Sequence, residues 1–260
     1  MRLVTYDRAG ARRLGAWVED DLLVDLPEAV GHPAFPTTME SLVARSGGSI
    51  LDAARDALDQ PEWWGDSVVV DPRLLVPILP TTAGGSGSGP PFLGPGEELA
   101  WPTRPAELDF ELEIACILGR SGRDLSTEEA GSAIFGYTVV NDWAAVDPED
   151  GSDGLWVGAS FGPCVVTADD FDPSSARLTA RVDGEIWSEG SLAAARSTFP
   201  ELVAHTSHQR ELQPGDIVGS GTYPGGRGRD VGRRLHPGAL VEVEVTGIGI
   251  LRTRISPLAA

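Results

Sequence analysis

Residues 109–119 read DFELEIACILG, and no other stretch restricts the fold of this chain as much. Phe110, Leu112 and Ile114 alternate with Glu111 and Glu113, and Ala115, Cys116, Ile117 and Leu118 follow without a polar break. A period of two is the signature of a β-strand, whose successive side chains point to opposite faces of a sheet. The apolar run after it needs cover on both faces, so the strand is expected to enter a sheet with a layer on each side. Glu111 and Glu113 then share a face. Either they meet water on a half-exposed antiparallel strand, or they bend together onto a hard cation. Cβ atoms two residues apart lie roughly 7 Å from each other, and metal–oxygen bonds of about 2.1 Å allow both carboxylates to reach one ion. Spacing alone leaves both readings open.

Strand and turn signals organise the rest. RLVTY, a turn at Ala9-Gly10, LGAWVE and LLVDL read as strands. Helices are expected over 39–45, behind Thr37 and Thr38, and over 50–58, behind Ser49. SVVVD and LLVPIL close a small α+β domain over residues 1–79. Residues 80–107 are rich in glycine, proline and serine, lack periodicity, and read as a linker or lid loop. Residues 108–260 carry mostly strand signals, among them GYTVVND, CVVT, a hairpin turned at Asp183-Gly184, DIVGSGT and ALVEVEVTGIGILRTRI. Helices are expected over 126–135, where Ser126 and Glu129 offer a capping box, and from Pro200 to about residue 210. The fold class is α+β and β-rich.

Charge narrows the partners. There are 39 acidic against 20 basic residues, a net charge of −19, and every base is arginine. Without lysine there is no Schiff-base, lysine-base or P-loop chemistry. So acidic a surface repels phosphate backbones and anionic lipids, which argues against nucleic-acid and membrane partners. Cys116 and Cys164 lie in apolar strand-like runs and read as buried small hydrophobes, not a disulfide or metal pair. No apolar leader and no run of membrane-spanning length is present, so a cytoplasmic location is expected. GASFG matches the G-x-S-x-G pattern with Ser160 as nucleophile, but that elbow needs a helix after it, and PCVVT is a strand.

LDFELEIACILGRSGRDLSTEEAGSAIFGYTVVNDWAAVD, followed by FGPCVVT, the DGE hairpin, PELVAHTS, LQPGDIVGSGT and PGALVEVEVTGIGILRTRI, resembles the fumarylacetoacetate hydrolase family in order and spacing. MRLVTYDRAGARRLGAWVEDDLLVDL is similar to that family's N-terminal domain, so the resemblance covers nearly the whole chain. It implies a mixed β-sheet or β-roll C-terminal domain behind a small α+β N-terminal domain. It also implies that Glu111, Glu113 and Asp142 hold a divalent metal, magnesium as the usual ion with manganese or calcium as alternatives. On that ion the family chelates the oxygens of a β-dicarbonyl or 2-oxo acid and stabilises an enolate. A homodimer acting on a small molecule is expected.

Three departures from the family bear on the reaction. The histidine and glutamate that activate water in hydrolytic members have no counterpart in TTAGGSGSGPPFLGPGEEL, where Glu97 and Glu98 read as solvated loop charges. The family's lysine upstream of Gly162-Pro163 falls near Leu155 and is missing, and Val146 stands in place of an arginine while Asp147 is kept. Thr222 matches the family's loop threonine that faces the ligand, and Tyr223 beside it is a candidate proton donor. His205 stands where some members carry histidine; it and His208 share a helix face and also read as packed or surface residues. Arg227 and Arg229, in a basic island with Arg233 and Arg234, are either solvated or placed to grip a substrate carboxylate. His32 and His236 read as surface or turn residues. The expected function is a metal-dependent enzyme that stabilises an enolate and acts as an isomerase, dehydratase or cyclase in specialised metabolism. The alternatives are a C–C bond hydrolase or decarboxylase of acylpyruvate-like substrates, or a non-catalytic small-molecule binding protein.

Overall fold

The computed structural model describes residues 1–19, 22–79, 91–102, 107–146 and 156–257. Strands β1 (Arg2–Arg8) and β2 (Ala11–Trp17) form the expected hairpin, and β3 (Leu23–Asp25) joins its edge. Helix α1 (Leu26–Val30) follows at once, capped by the Asp25 carboxylate, and α2 (Met39–Ala44) is capped by Thr38. Helix α3 (Gly48–Leu58) starts before Ser49, with Gly47 as its N-cap and no side-chain cap, which corrects the expected start. Strand β4 (Val68–Val69) is short, and LLVPIL is not a strand. Pro77 has no N–H for a ladder. The segment lies along β1 instead, through Asp7 N to Arg73 O and Leu75 N to Thr5 O, both 2.9 Å.

The stretch expected as a linker contributes two short strands, β5 (Phe92–Leu93) and β6 (Glu98–Leu99); residues 80–90 and 103–106 lie outside the described residues. Then come β7 (Glu107–Leu118), α4 (Thr127–Ala133), β8 (Ile134–Val146) and β9 (Trp156–Thr167). The hairpin β10 (Arg177–Val182) and β11 (Glu185–Ser191) precedes α5 (Phe199–Gln209), and β12 (Ile217–Gly219), β13 (Leu240–Val245) and β14 (Gly249–Ile255) complete the order. Both α4 and α5 carry capping boxes, Ser126 with Glu129 and Thr198 with Glu201.

One sheet runs β12-β7-β8-β9-β1-β2-β3-β4 with β5 beside β9; the other runs β11-β10-β13-β14-β6. Because β1 pairs with β9 at Arg2↔Val166 and Leu3↔Val165, the N-terminal hairpin and a strand about 160 residues later share the larger sheet. β7 is covered on both faces, as its apolar run requires. Phe110, Leu112, Ile114, Cys116 and Leu118 pack in one cluster with Leu178, Val243 and Leu251 of the second sheet. On the opposite face Ile117 packs with Leu3, Leu14 and Leu42, and Ala115 with Val140 and Phe161. Only the start of that second face is polar, and there stand Glu111 and Glu113. No helix among the described residues is long and apolar enough to cross a membrane.

Candidate active site

The antiparallel register of β7 and β8 sets Glu111 opposite Asp142, with Glu113 two residues along. β12 runs antiparallel to β7 and pairs Gly219 with Ala115, so the chain leaving β12 passes back over the acids. Gly221, at φ +70°, makes the turn, a left-handed conformation that favours glycine. Its N–H donates to Glu113 Oε2 at 3.2 Å. The Thr222 hydroxyl lies 2.7 Å from Glu111 Oε2 and 3.1 Å from Glu113 Oε1. Arg227 Nη2 pairs with Glu111 Oε2 at 3.0 Å, and Leu112 N donates to Gly226 O at 3.2 Å. One step back on the same face, Asp109 accepts from Gly228 N at 2.9 Å and Arg229 N at 3.2 Å. Three same-face carboxylates thus stitch the 219–229 loop onto β7.

The cluster carries surplus negative charge. Burial pushes Glu113 up to about 7, the neighbouring charges of Asp142 and Glu111 add to the rise, and the Thr222 and Gly221 hydrogen bonds oppose it. Burial also raises Asp142, with the Glu111 charge adding, against a hydrogen bond from the Trp156 side chain. Asp109 is pushed up to about 6 by burial, opposed by the backbone N–H groups it accepts from. Among the described residues, three carboxylates at Glu111, Glu113 and Asp142 gather where Arg227 brings its guanidinium to Glu111. Hard oxygen donors with excess negative charge fit a divalent cation in donor type and in charge. As they stand, Glu111 turns to Thr222 and Arg227, and Glu113 to Thr222 and Gly221. Among the described residues no three acidic, imidazole or thiol side chains close on one point.

The other expected residues fall in different places. Tyr223 is buried, and its hydroxyl meets Ser188 Oγ at 2.6 Å; Ser188 donates its own proton to Gly225 O, so the phenol proton is directed to Ser188. His205 is exposed on α5, accepting from the Gln209 amide at 3.0 Å, and His208 pairs with Asp124. Arg229 is brought to Asp109 by its backbone N–H, and its side chain lines a charged cleft with Val146, Arg233 and Arg234. Arg233 pairs with Glu185 and Arg234 with Glu107. Glu97 caps its own turn at Gly94 N, and Glu98 reaches Ser256. Ser160 lies fully buried inside β9 between Trp143 and Thr253, which rules it out as an elbow nucleophile. Cys116 and Cys164 are buried thiols pushed up to about 12 and about 11 by burial. His32 holds a turn and His236 pairs with Asp183. Asp147 and Leu155 lie outside the described residues.

Sequence reasoning missed Asp109, Gly219 and Gly221. Asp109 carried a signal, since it extends the alternation of Glu111 and Glu113 by one more position. Gly219 has a steric role: a Cβ there would lie 2.7 Å from Glu113 Oε2.

The profile described as fumarylacetoacetate (FAA) hydrolase C-terminal matches residues 82–256. Among curated proteins, oxaloacetate tautomerase YisK of Bacillus subtilis is 28% identical over 261 residues, covering 95% of this chain and 82% of that protein. An uncharacterized protein of Pyrococcus horikoshii is 34% identical over 168 residues, 61% of this chain and 70% of its own. A solved fumarylacetoacetate hydrolase from psychrophilic Exiguobacterium antarcticum superimposes with a TM-score of 0.77 at 25% identity over 99% of both chains. A maleylpyruvate hydrolase from Sphingobium, in complex with manganese(II) and pyruvate, shares the fold at a TM-score of 0.76 and 22% identity over 99% of both chains.

Proposed function

The chain belongs to the fumarylacetoacetate hydrolase family, and from that premise we propose that it is a divalent-metal-dependent isomerase interconverting the enol and keto forms of a 2-oxo acid or related β-dicarbonyl. The observation that carries this reading is an acid cluster with no histidine or lysine beside it among the described residues. Glu111, Glu113, Asp142, the Thr222 hydroxyl and the Arg227 guanidinium gather there, while the hydrogen bonds of His205 and His208 go elsewhere and the chain has no lysine.

C–C bond hydrolysis needs a water deprotonated beside the substrate, a task for which a positioned base contributes roughly 10² to 10⁴ in rate. Enol–keto exchange only moves a proton between carbon and oxygen of a substrate that is already acidic. A divalent cation held by the three carboxylates would supply Lewis acidity to the substrate's neighbouring oxygens. Thr222 fixes the two glutamates relative to each other, and Arg227 presents a planar cation at the edge of the cluster, suited to a substrate carboxylate. That a relative named for oxaloacetate tautomerisation spans 95% of the chain supports the same reading.

The test follows the enol absorbance of oxaloacetate, and separately the cleavage of acetylpyruvate, with Mg²⁺, Mn²⁺ or EDTA. Acceleration of enol–keto exchange that EDTA abolishes is expected, with little cleavage. Cleavage at an ordinary enzymatic rate of about 10 per second, or exchange indifferent to EDTA, would overturn the proposal.

A further inference from the structure

Thr222, whose hydroxyl meets both glutamates, also lines a cavity of about 640 Å³. The end of β11 and the segment leading to α5 also line it, through Gly190, Ser191, Leu192, Ala195, Arg196 and Ser197. Tyr223 is part of the lining and is held in place: its hydroxyl meets Ser188, and a Cβ on Gly190 would lie 2.2 Å from its ring. Serine hydroxyls and the apolar Leu192 and Leu202 make up much of the remainder. Among the described residues of the lining, Arg196 is the charged one.

Arg196 differs from the arginines that carboxylates hold. With 39 acids for 20 bases, arginines such as Arg8, Arg13, Arg181 and Arg252 are held by carboxylates at 2.8 Å or less. Arg196 is exposed, and no ion pair or hydrogen bond among the described residues engages its side chain. A guanidinium that no described carboxylate engages, on a cavity wall where the described residues include none, favours an anion, and its planar fork matches a carboxylate. The acid cluster, at the Thr222 side, is where the 2-oxo acid end of a substrate belongs on the functional reading above.

We propose that Arg196 is a specificity-determining residue that binds a second carboxylate of a substrate lying between the acid cluster and the 190–197 segment. This rests on the metal-dependent 2-oxo acid reading. A monoacid with an apolar tail would gain nothing from the guanidinium and would lie against it.

Calorimetric titration of the Mn²⁺-loaded protein tests this with three probes: oxaloacetate and 2-oxoglutarate, which carry a second carboxylate, and 2-oxobutanoate, which lacks one. The wild type is expected to bind at least one diacid about tenfold more tightly than 2-oxobutanoate, the scale of one charge-assisted contact at an exposed site. Arg196→Gln should erase that preference and leave 2-oxobutanoate affinity unchanged, while Arg196→Lys should restore part of it. Because Arg196 is exposed and no described residue engages its side chain, the variants should melt with the wild type, which separates a binding effect from misfolding. Equal affinity for all three probes in the wild type, or an equal loss for all three in Arg196→Gln, overturns the role of Arg196 while leaving the broader function standing. No binding of any probe by the Mn²⁺-loaded wild type overturns both.

Discussion

At residue 219 the lack of a side chain gives Glu113 its position, because an added Cβ would lie 2.7 Å from Oε2. Gly219→Ala displaces the end of a flexible side chain and spares the β12–β7 hydrogen bonds. We expect Mn²⁺ affinity to fall roughly tenfold, about 1.4 kcal/mol, with little change in melting temperature. Titration with Mn²⁺ checks this, and unchanged affinity would remove Glu113 from the ligand set. Thr222→Val takes away the hydroxyl that meets both Glu111 and Glu113. Leaving a partly buried carboxylate short of a donor costs about 1–3 kcal/mol, so urea melts in EDTA should show a loss on that scale, which Thr222→Ser should not. The pH behaviour of Glu113 follows from its sign. Its folded value of about 7 lies above the ordinary 4.5, so its stabilising contribution is complete below pH 4.5 and is lost as pH rises through 7. Metal-free protein should therefore weaken between pH 5 and pH 8. Saturating Mn²⁺ should reverse the trend, since the ion binds the deprotonated carboxylates. Denaturant melts across that range in EDTA and in Mn²⁺ check both halves, and a flat profile in EDTA contradicts the first.

At the level of elements, local signals were legible where the chemistry is local. The Asp183-Gly184 turn sits at φ 51° and 83°, the left-handed pair that Asp-Gly favours, and the capping box at Ser126 formed as its spacing implied. Thr198 and Glu201 form a second box that starts α5 one residue before Pro200, so Thr198→Ala should cost about 1 kcal/mol, readable as a lower urea midpoint. Helix α1 went unread because its cap, Asp25, is also the last residue of β3, and five residues carry no period. LLVPIL looked like a strand by composition, yet Pro77 breaks its ladder. In the site, the alternating acids and the GT loop could be read from text. What could not be read is that the backbone amides of Gly221, Gly228 and Arg229 end on Glu113 and Asp109. Those donors come from every residue type alike, and they meet their acceptors only after more than a hundred residues of chain have folded, so nothing in composition marks them.

For the whole molecule the proposed metal would be a stabilising ligand as well as a chemical one. An ion that binds only the folded state at a hundred times its dissociation constant adds about 2.7 kcal/mol, so thermal melts with excess Mn²⁺ or Mg²⁺ should rise over melts in EDTA. Identical melts would count against any metal at Glu111, Glu113 and Asp142. A further consequence comes from the pairing of β1 with β9, Leu3 against Val165. During synthesis the first hairpin emerges early, but its neighbour in the sheet follows about 160 residues later, a delay of roughly 8 to 30 s at ordinary ribosomal speeds. Throughout that interval β1 presents an open edge and the apolar Leu3 and Val4, which are fully buried in the finished fold. Nascent chains stalled before residue 156 should therefore hold their N-terminal hairpin sensitive to protease, and release past residue 167 should protect it.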